Sequence, residues 1–249
     1  MRKISLFLAA SLMTAAAFSL QSCRDDNDDS IYFPSALVTV KPDAENTSFR
    51  MQLDDETVLW PVNIEKSPFG TKEVRALVNY REPSAKEVMY EGPAGTTGVF
   101  VNWIDSVLTK PLDVNLGEKM NREVYGDDPV EIVNDWVTVA EDGYLTLRIR
   151  TRWGWEKHRL TLVYRDDADT PYVVRFHHDA NNDPGNRVGD ALVAFRLEDL
   201  PDTKGETVDL TLEWNSFSGP KSARFKYCTR KASGAQPKAI LRPTEHNVE

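Results

Sequence analysis

The densest group of side chains able to do chemistry lies in RFHHDANNDPGNRVGD, residues 175–190. Imidazole titrates near neutral pH and carboxylates bind protons or cations, so this segment is a candidate for a metal site or for general acid–base catalysis. Adjacent residues of a strand point to opposite faces, so the two histidines can share one ion only if the strand ends there. Asn, Asp and Pro-Gly also build turns unaided, and a structural turn is the favoured interpretation. The candidates are His177, His178, Asp179 and Asp183.

A second candidate is RTRWGWEKHR, residues 150–159, which has the pattern of a hairpin tip. Trp153 and Trp155 occupy alternate positions around Gly154, so both indoles can form a platform for a sugar ring or for an apolar side chain of a partner. Arg152 completes this candidate ligand site. The alternative is that the indoles cap one open end of a β-sandwich core.

Other catalytic signatures are absent from the sequence. It has no glycine-rich phosphate loop, no GxSxG nucleophile elbow and no CxxC pair. The acidic turns LDDE and RDDADT lack the spacing of a calcium loop. With two cysteines, Cys23 and Cys228, and no zinc-like spacing, we expect no metal cofactor, no other cofactor and no structural disulfide.

The N-terminus has the organisation of a lipoprotein signal peptide, residues 1–22. Arg2 and Lys3 precede an apolar stretch that is short for a membrane span, and Leu-Gln-Ser-Cys resembles a lipobox ending at Cys23. Its thiol would carry a diacylglyceryl group, and several acyl chains anchor a protein to a bilayer stably. The alternative is an ordinary signal peptide whose cleavage site falls near a cysteine.

The acidic run RDDNDDS follows Cys23 and should stay solvated, which makes residues 23–34 a tether. It resembles the export signal of surface lipoproteins in Bacteroides-type bacteria, so we expect an outer-membrane protein on the cell surface. The alternative location is the periplasmic face of that membrane.

The formal net charge of −9 weighs against a nucleic-acid partner, because phosphates need a basic surface. The predicted partners are the membrane, through the lipid on Cys23, and an envelope protein or a glycan. Nothing after the leader is apolar enough, over a long enough stretch, to predict a second membrane span.

Short alternating strands predict an all-β protein of two domains. Five strands within residues 35–113 suit a small OB-type barrel, and seven within residues 114–230 suit an Ig-like antiparallel β-sandwich. The boundary is expected within the Pro-, Gly- and charge-rich segment 110–130, and the tail 231–249 is expected to be loosely ordered. The remaining tryptophans fall in strand patterns and are assigned to the cores: Trp60, Trp103, Trp136 and Trp214.

Several phrases in order resemble the NigD-like lipoproteins of Bacteroides-type bacteria: LDDETVLWPV, VNYREP, VNWIDSVLTK, GDDPVEIVNDWV and GYLTLRI. The resemblance covers nearly all of the chain after the leader. It implies an OB-type domain joined to a β-sandwich behind a lipoprotein leader. The family has no agreed biochemical activity to transfer.

Three functional hypotheses follow. The first is a non-enzymatic, lipid-anchored envelope protein that binds a macromolecule or glycan. The second is a surface hydrolase or metal-dependent enzyme that uses the His177–Asp183 cluster. The third is a structural envelope component without a ligand.

Overall fold

The computed structural model describes residues 32–230. The predicted leader, the lipidation site Cys23 and the tail 231–249 lie outside this range. Between residues 32 and 230 no helix is long and apolar enough to cross a membrane.

The N-terminal domain is a closed barrel in which the strands follow the order β1-β2-β3-β5-β4 and β4 pairs with β1. Alternate residues of β1 and β4, such as Val38, Val40 and Val78, fill its interior because side chains alternate between the faces of a strand. The predicted OB-type barrel is confirmed. Its strands are β1 Ala36–Pro42, β2 Phe49–Gln52, β3 Val58–Pro61, β4 Val74–Arg81 and β5 Thr97–Ser106.

The C-terminal domain is a sandwich of two sheets, which confirms the second predicted fold. The four-stranded sheet has the order β10-β11-β13-β14; the five-stranded sheet has the order β6-β12-β9-β7, with β8 also paired to β9. Its elements are β6 Leu108–Lys110, α1 Glu118–Tyr125, β7 Glu131–Val133, β8 Val139–Glu141, β9 Tyr144–Trp153, β10 Arg159–Tyr164, β11 Val173–Asp179, β12 Arg187–Arg196, β13 Val208–Ser216 and β14 Gly219–Tyr227.

Two strand pairs of the sandwich are parallel rather than antiparallel. β11 pairs with β13, and β6 pairs with β12. β6 lies before residue 113, where the sequence patterns ended the barrel domain, yet it extends a sheet of the sandwich.

The strand expected over residues 131–140 is interrupted. Asp135 accepts a hydrogen bond from the backbone N–H of Val137, and the Thr138 hydroxyl donates to the Val133 carbonyl. Such local side-chain bonds compete with the strand ladder and turn the chain between β7 and β8. The core assignment of Trp136 is therefore wrong, because its side chain is 55% exposed on this turn.

The other three tryptophans differ in burial. Trp214 lies in the sandwich core, as predicted. Trp60 and Trp103 are half-buried at the surface of the barrel.

The two domains meet through a small apolar cluster and buried charges. Leu37 and Val107 of the barrel side pack with Tyr144 and Ala194 of the sandwich. Lys41 Nζ lies 2.8 Å from Asp142 Oδ1, and both side chains are almost fully buried. Burial lowers the pKa of Lys41, while the hydrogen bond and the charge of Asp142 oppose that shift.

A second charged contact lies beside this pair. Arg75 is fully buried, donates to the Thr39 hydroxyl at 3.0 Å and contacts the carboxylate of Glu141. Burial raises the pKa of Glu141, although the charge of Arg75 acts in the opposite direction. A buried charge that loses its partner is costly, so these pairs specify one docking geometry of the barrel on the sandwich.

Asp142→Asn tests this interface. Asn tolerates the left-handed backbone of residue 142, φ 47°, but removes the charge that compensates Lys41. We expect a loss of about 3 kcal/mol in the free energy of unfolding, measured by urea denaturation. The matched control Asp209→Asn breaks the exposed pair with Lys226 and should leave stability nearly unchanged. Equal effects of the two variants would contradict a structural role for the buried pair.

Candidate functional site

The predicted histidines lie at the end of β11 that is remote from the barrel, on opposite faces of the strand. His178 follows Val174 and Phe176 on the core side, whereas His177 lies with Arg175 on the outer face. Both histidines are 2% exposed. The structure therefore does not bring them to one ion.

His178 belongs to a buried chain of hydrogen bonds. Its Nε2 lies 2.9 Å from Nδ1 of His158, and Nε2 of His158 lies 3.0 Å from Oδ2 of Asp183. Nδ1 of His178 faces the Asp128 carbonyl at 3.3 Å. Both ring nitrogens of His158 therefore have a partner, His178 on one side and the Asp183 carboxylate on the other.

The sequence patterns did not single out His158. His158 lies beside His178 because β10 and β11 form an antiparallel pair in which Leu160 opposes His178. This register brings the start of β10 next to the histidines. The residues between the two strands gave no indication of that register.

Asp183 anchors the β9–β10 hairpin tip. Its carboxylate accepts hydrogen bonds from the backbone N–H groups of Gly154 and Trp155 as well as from His158, and its side chain has no exposed surface. Burial raises its pKa, but these donors prevail and hold the pKa at about 2. A Cβ on Gly154 would lie 2.2 Å from Asp183 Oδ1, so the contact requires glycine.

The remaining candidate, Asp179, is also bonded within the protein. It pairs with Arg159 at 2.6 Å and accepts the backbone N–H of Asn181. In the described part of the chain no group of three or more His, Cys, Asp or Glu side chains has the geometry to hold a metal ion. The carboxylates of Asp179 and Asp183 are thus each bonded within the protein.

The two indoles of the hairpin have different environments. Trp153 packs against the sandwich core, donates Nε1–H to the Gly189 carbonyl and stacks on His158 with ring centres 4.3 Å apart. Trp155 is 87% exposed. The two rings therefore do not form one exposed surface. Trp153 caps the core, while Trp155, with the exposed Arg152 nearby on β9, offers its ring to solvent.

A cavity of about 410 Å³ lies between α1 and the outer face of the four-stranded sheet. α1 turns the polar Asn121 inward, where its side-chain oxygen accepts the Leu116 N–H, and leaves Met120 and Val124 exposed. The helix ends at Gly126, where a Cβ would lie 2.6 Å from the His178 carbonyl. The sequence patterns did not single out this helix, which is only 8 residues long and lies in the segment taken as the domain boundary.

The fold defines a class of protein in which an OB barrel precedes a β-sandwich. The family model of the NigD-like N-terminal OB domain matches residues 37–107. The family model of the NigD-like C-terminal β-sandwich domain matches residues 113–227. The chain belongs to the NigD-like family, and the resemblance noted from the sequence is confirmed.

Solved structures agree with this assignment. A crystal structure described as a toxin-related protein, from Parabacteroides distasonis, is 35% identical with a TM-score of 0.64 and covers 78% of this chain and 92% of its own. A NigD-like immunity protein from Bacteroides caccae is 19% identical, with a TM-score of 0.55 and coverage of 78% and 96%. A protein of unknown function from Bacteroides vulgatus is 21% identical, with a TM-score of 0.59 and coverage of 77% and 89%. No significant match is found among curated proteins.

Acidification should weaken the histidine chain. Burial, followed by the charge of His158, lowers the pKa of His178 from its ordinary 6.5. The unfolded chain then binds a proton that the folded protein resists, so the free energy of unfolding falls as the pH drops below about 6.5. Urea denaturation at about pH 7.5 and about pH 5.5 measures this loss. His178→Gln should reduce this loss but not abolish it, because burial also lowers the pKa of His177. An unchanged pH dependence in that variant would contradict the account.

Proposed function

We propose that this chain is a lipid-anchored, non-enzymatic binding protein of the bacterial outer membrane that engages a protein partner through the hairpin tip carrying Trp155. The observation that carries the proposal is the 87% exposure of an indole on a tip whose backbone is fixed by Asp183. Large aromatic side chains that are rigidly presented are typical anchors of protein interfaces.

The chemistry of the site supports binding rather than catalysis. His158 Nδ1 faces His178, not a hydroxyl or thiol that it could activate, and the side chains of His158 and Asp183 are 1% and 0% exposed. A nucleophile–base pair needs such a hydroxyl or thiol and access for a substrate. The hydrolase hypothesis therefore gains no support from the geometry.

A protein partner is preferred to a glycan. A relative that is 35% identical is described only as toxin related, so the preference rests on the geometry of the site. Trp155 stands alone, because Trp153 is occupied against His158 and cannot add a second ring to a sugar platform.

Trp155→Ala tests the binding surface. We expect loss of the partner that co-purifies from solubilised membranes, with a change in the free energy of unfolding of no more than about 0.5 kcal/mol. Trp136→Ala, which removes another exposed indole, is the matched control and should retain the partner. Retention by Trp155→Ala would refute this site, and loss of binding to a purified glycan instead would reassign the partner class.

Cys23→Ser tests the anchor separately. Without the thiol no thioether to diacylglycerol forms, so the protein should move from the membrane fraction to the soluble fraction after cell lysis. Protease treatment of intact cells producing the unmodified chain then distinguishes the two faces of the membrane. Continued membrane association of the serine variant would contradict lipidation at Cys23.

A further inference from the structure

The cavity beneath α1 lies on a different surface from Trp155 and has the composition of a binding site. Asn115, Asn121 and Arg122 line it from the helical side, and Arg165, Arg175 and His177 line it from the sheet. Its volume of about 410 Å³ is in the range of small-ligand pockets in proteins. Nothing in the hydrogen-bonded turn around Asp183 contributes to it.

His177 lines this cavity and carries an unused acceptor. Its Nδ1 lies 2.8 Å from the Gly126 carbonyl and therefore carries the proton, which leaves a lone pair on Nε2. Burial lowers the pKa of His177, so the ring is neutral at pH 7. Nε2 is buried and has no hydrogen-bond partner among the described residues. Buried polar atoms nearly always have one, so this nitrogen requires a donor that the described residues do not supply.

The arginines of the cavity have donors to spare. Arg175 lies 3.3 Å from Asp127, and Arg165 lies 3.6 Å from Glu213. Both distances are long for a hydrogen bond between charged groups. A guanidinium offers five N–H donors in a planar fork that matches a carboxylate, so both can bind a carboxylate of a ligand in addition to their present partners.

Carboxylates balance the charge of this lining. Glu118, Asp167 and Glu213 also line the cavity and oppose its three arginines. A densely charged anion would be repelled by these groups, whereas hydroxyl groups of a ligand can donate to them. A ligand that satisfies both sets of residues therefore combines a single carboxylate with several hydroxyls.

We propose that the cavity beneath α1 binds a small polyhydroxylated carboxylate of the acidic-sugar class, with its carboxylate on Arg175 and Arg165 and a hydroxyl donating to His177 Nε2. This site is independent of the protein-binding tip: Trp155→Ala leaves it intact, so either proposal can fail without the other.

Calorimetric titration of the purified chain with glucuronate, glucose and acetate tests the assignment. Glucuronate should bind at millimolar concentrations or below, and glucose and acetate should bind at least about tenfold more weakly because each lacks one half of the recognised chemistry. Arg175→Lys keeps the charge but loses the fork and should weaken glucuronate binding by about tenfold. Arg224→Lys, on the same sheet but outside the cavity, is the matched control.

The nitrogen chemical shift of His177 gives a readout that needs no variant. Donation of a hydrogen bond to Nε2 should move this resonance during titration of the unmodified protein with glucuronate and not with acetate. Absence of glucuronate binding, equal binding of all three probes, or binding that leaves the His177 resonance and the Arg175→Lys affinity unchanged would each overturn the proposal.

Discussion

The carboxylate of Asp183 determines the structure of the sandwich end that is remote from the barrel. It binds the backbone of the β9–β10 tip on one side and His158 on the other, so two loops distant in sequence become one bonded unit. His158 in turn positions Trp153 by stacking and His178 by a hydrogen bond. The carboxylate of Asp183 and both ring nitrogens of His158 are thus bonded within the protein, beneath a tip that exposes Trp155.

The end of the sandwich that faces the barrel is held by buried ion pairs. There, Lys41 and Arg75 of the barrel are buried against Asp142 and Glu141 of the sandwich. Buried ion pairs add little stability over an apolar contact, but they penalise every geometry that separates the charges. β9 connects the two ends: its 10 residues span about 30 Å from Tyr144 at the barrel to the tip. The tip therefore lies at the end of the sandwich that is remote from the barrel.

The sequence was sufficient for the fold and for part of the site. Alternation of apolar residues located the five barrel strands and the long strands of the sandwich, because burial on one face of a strand leaves a period of two. It failed where local hydrogen bonds override that period, as at Asp135 and Thr138. It also missed α1, because a helix of 8 residues offers only about two turns of pattern. The partner of His178 could not be found either, since His158 reaches it only through the register of β10 and β11.

The most direct measurement is site-specific photo-cross-linking in intact cells, with the photoreactive residue at position 155 or at position 136. Both positions hold exposed tryptophans in the sandwich, so they differ in location rather than in side-chain type. The account predicts a discrete protein adduct from position 155 and none from position 136. No adduct from position 155, or the same adducts from both positions, would contradict a specific partner at the hairpin tip.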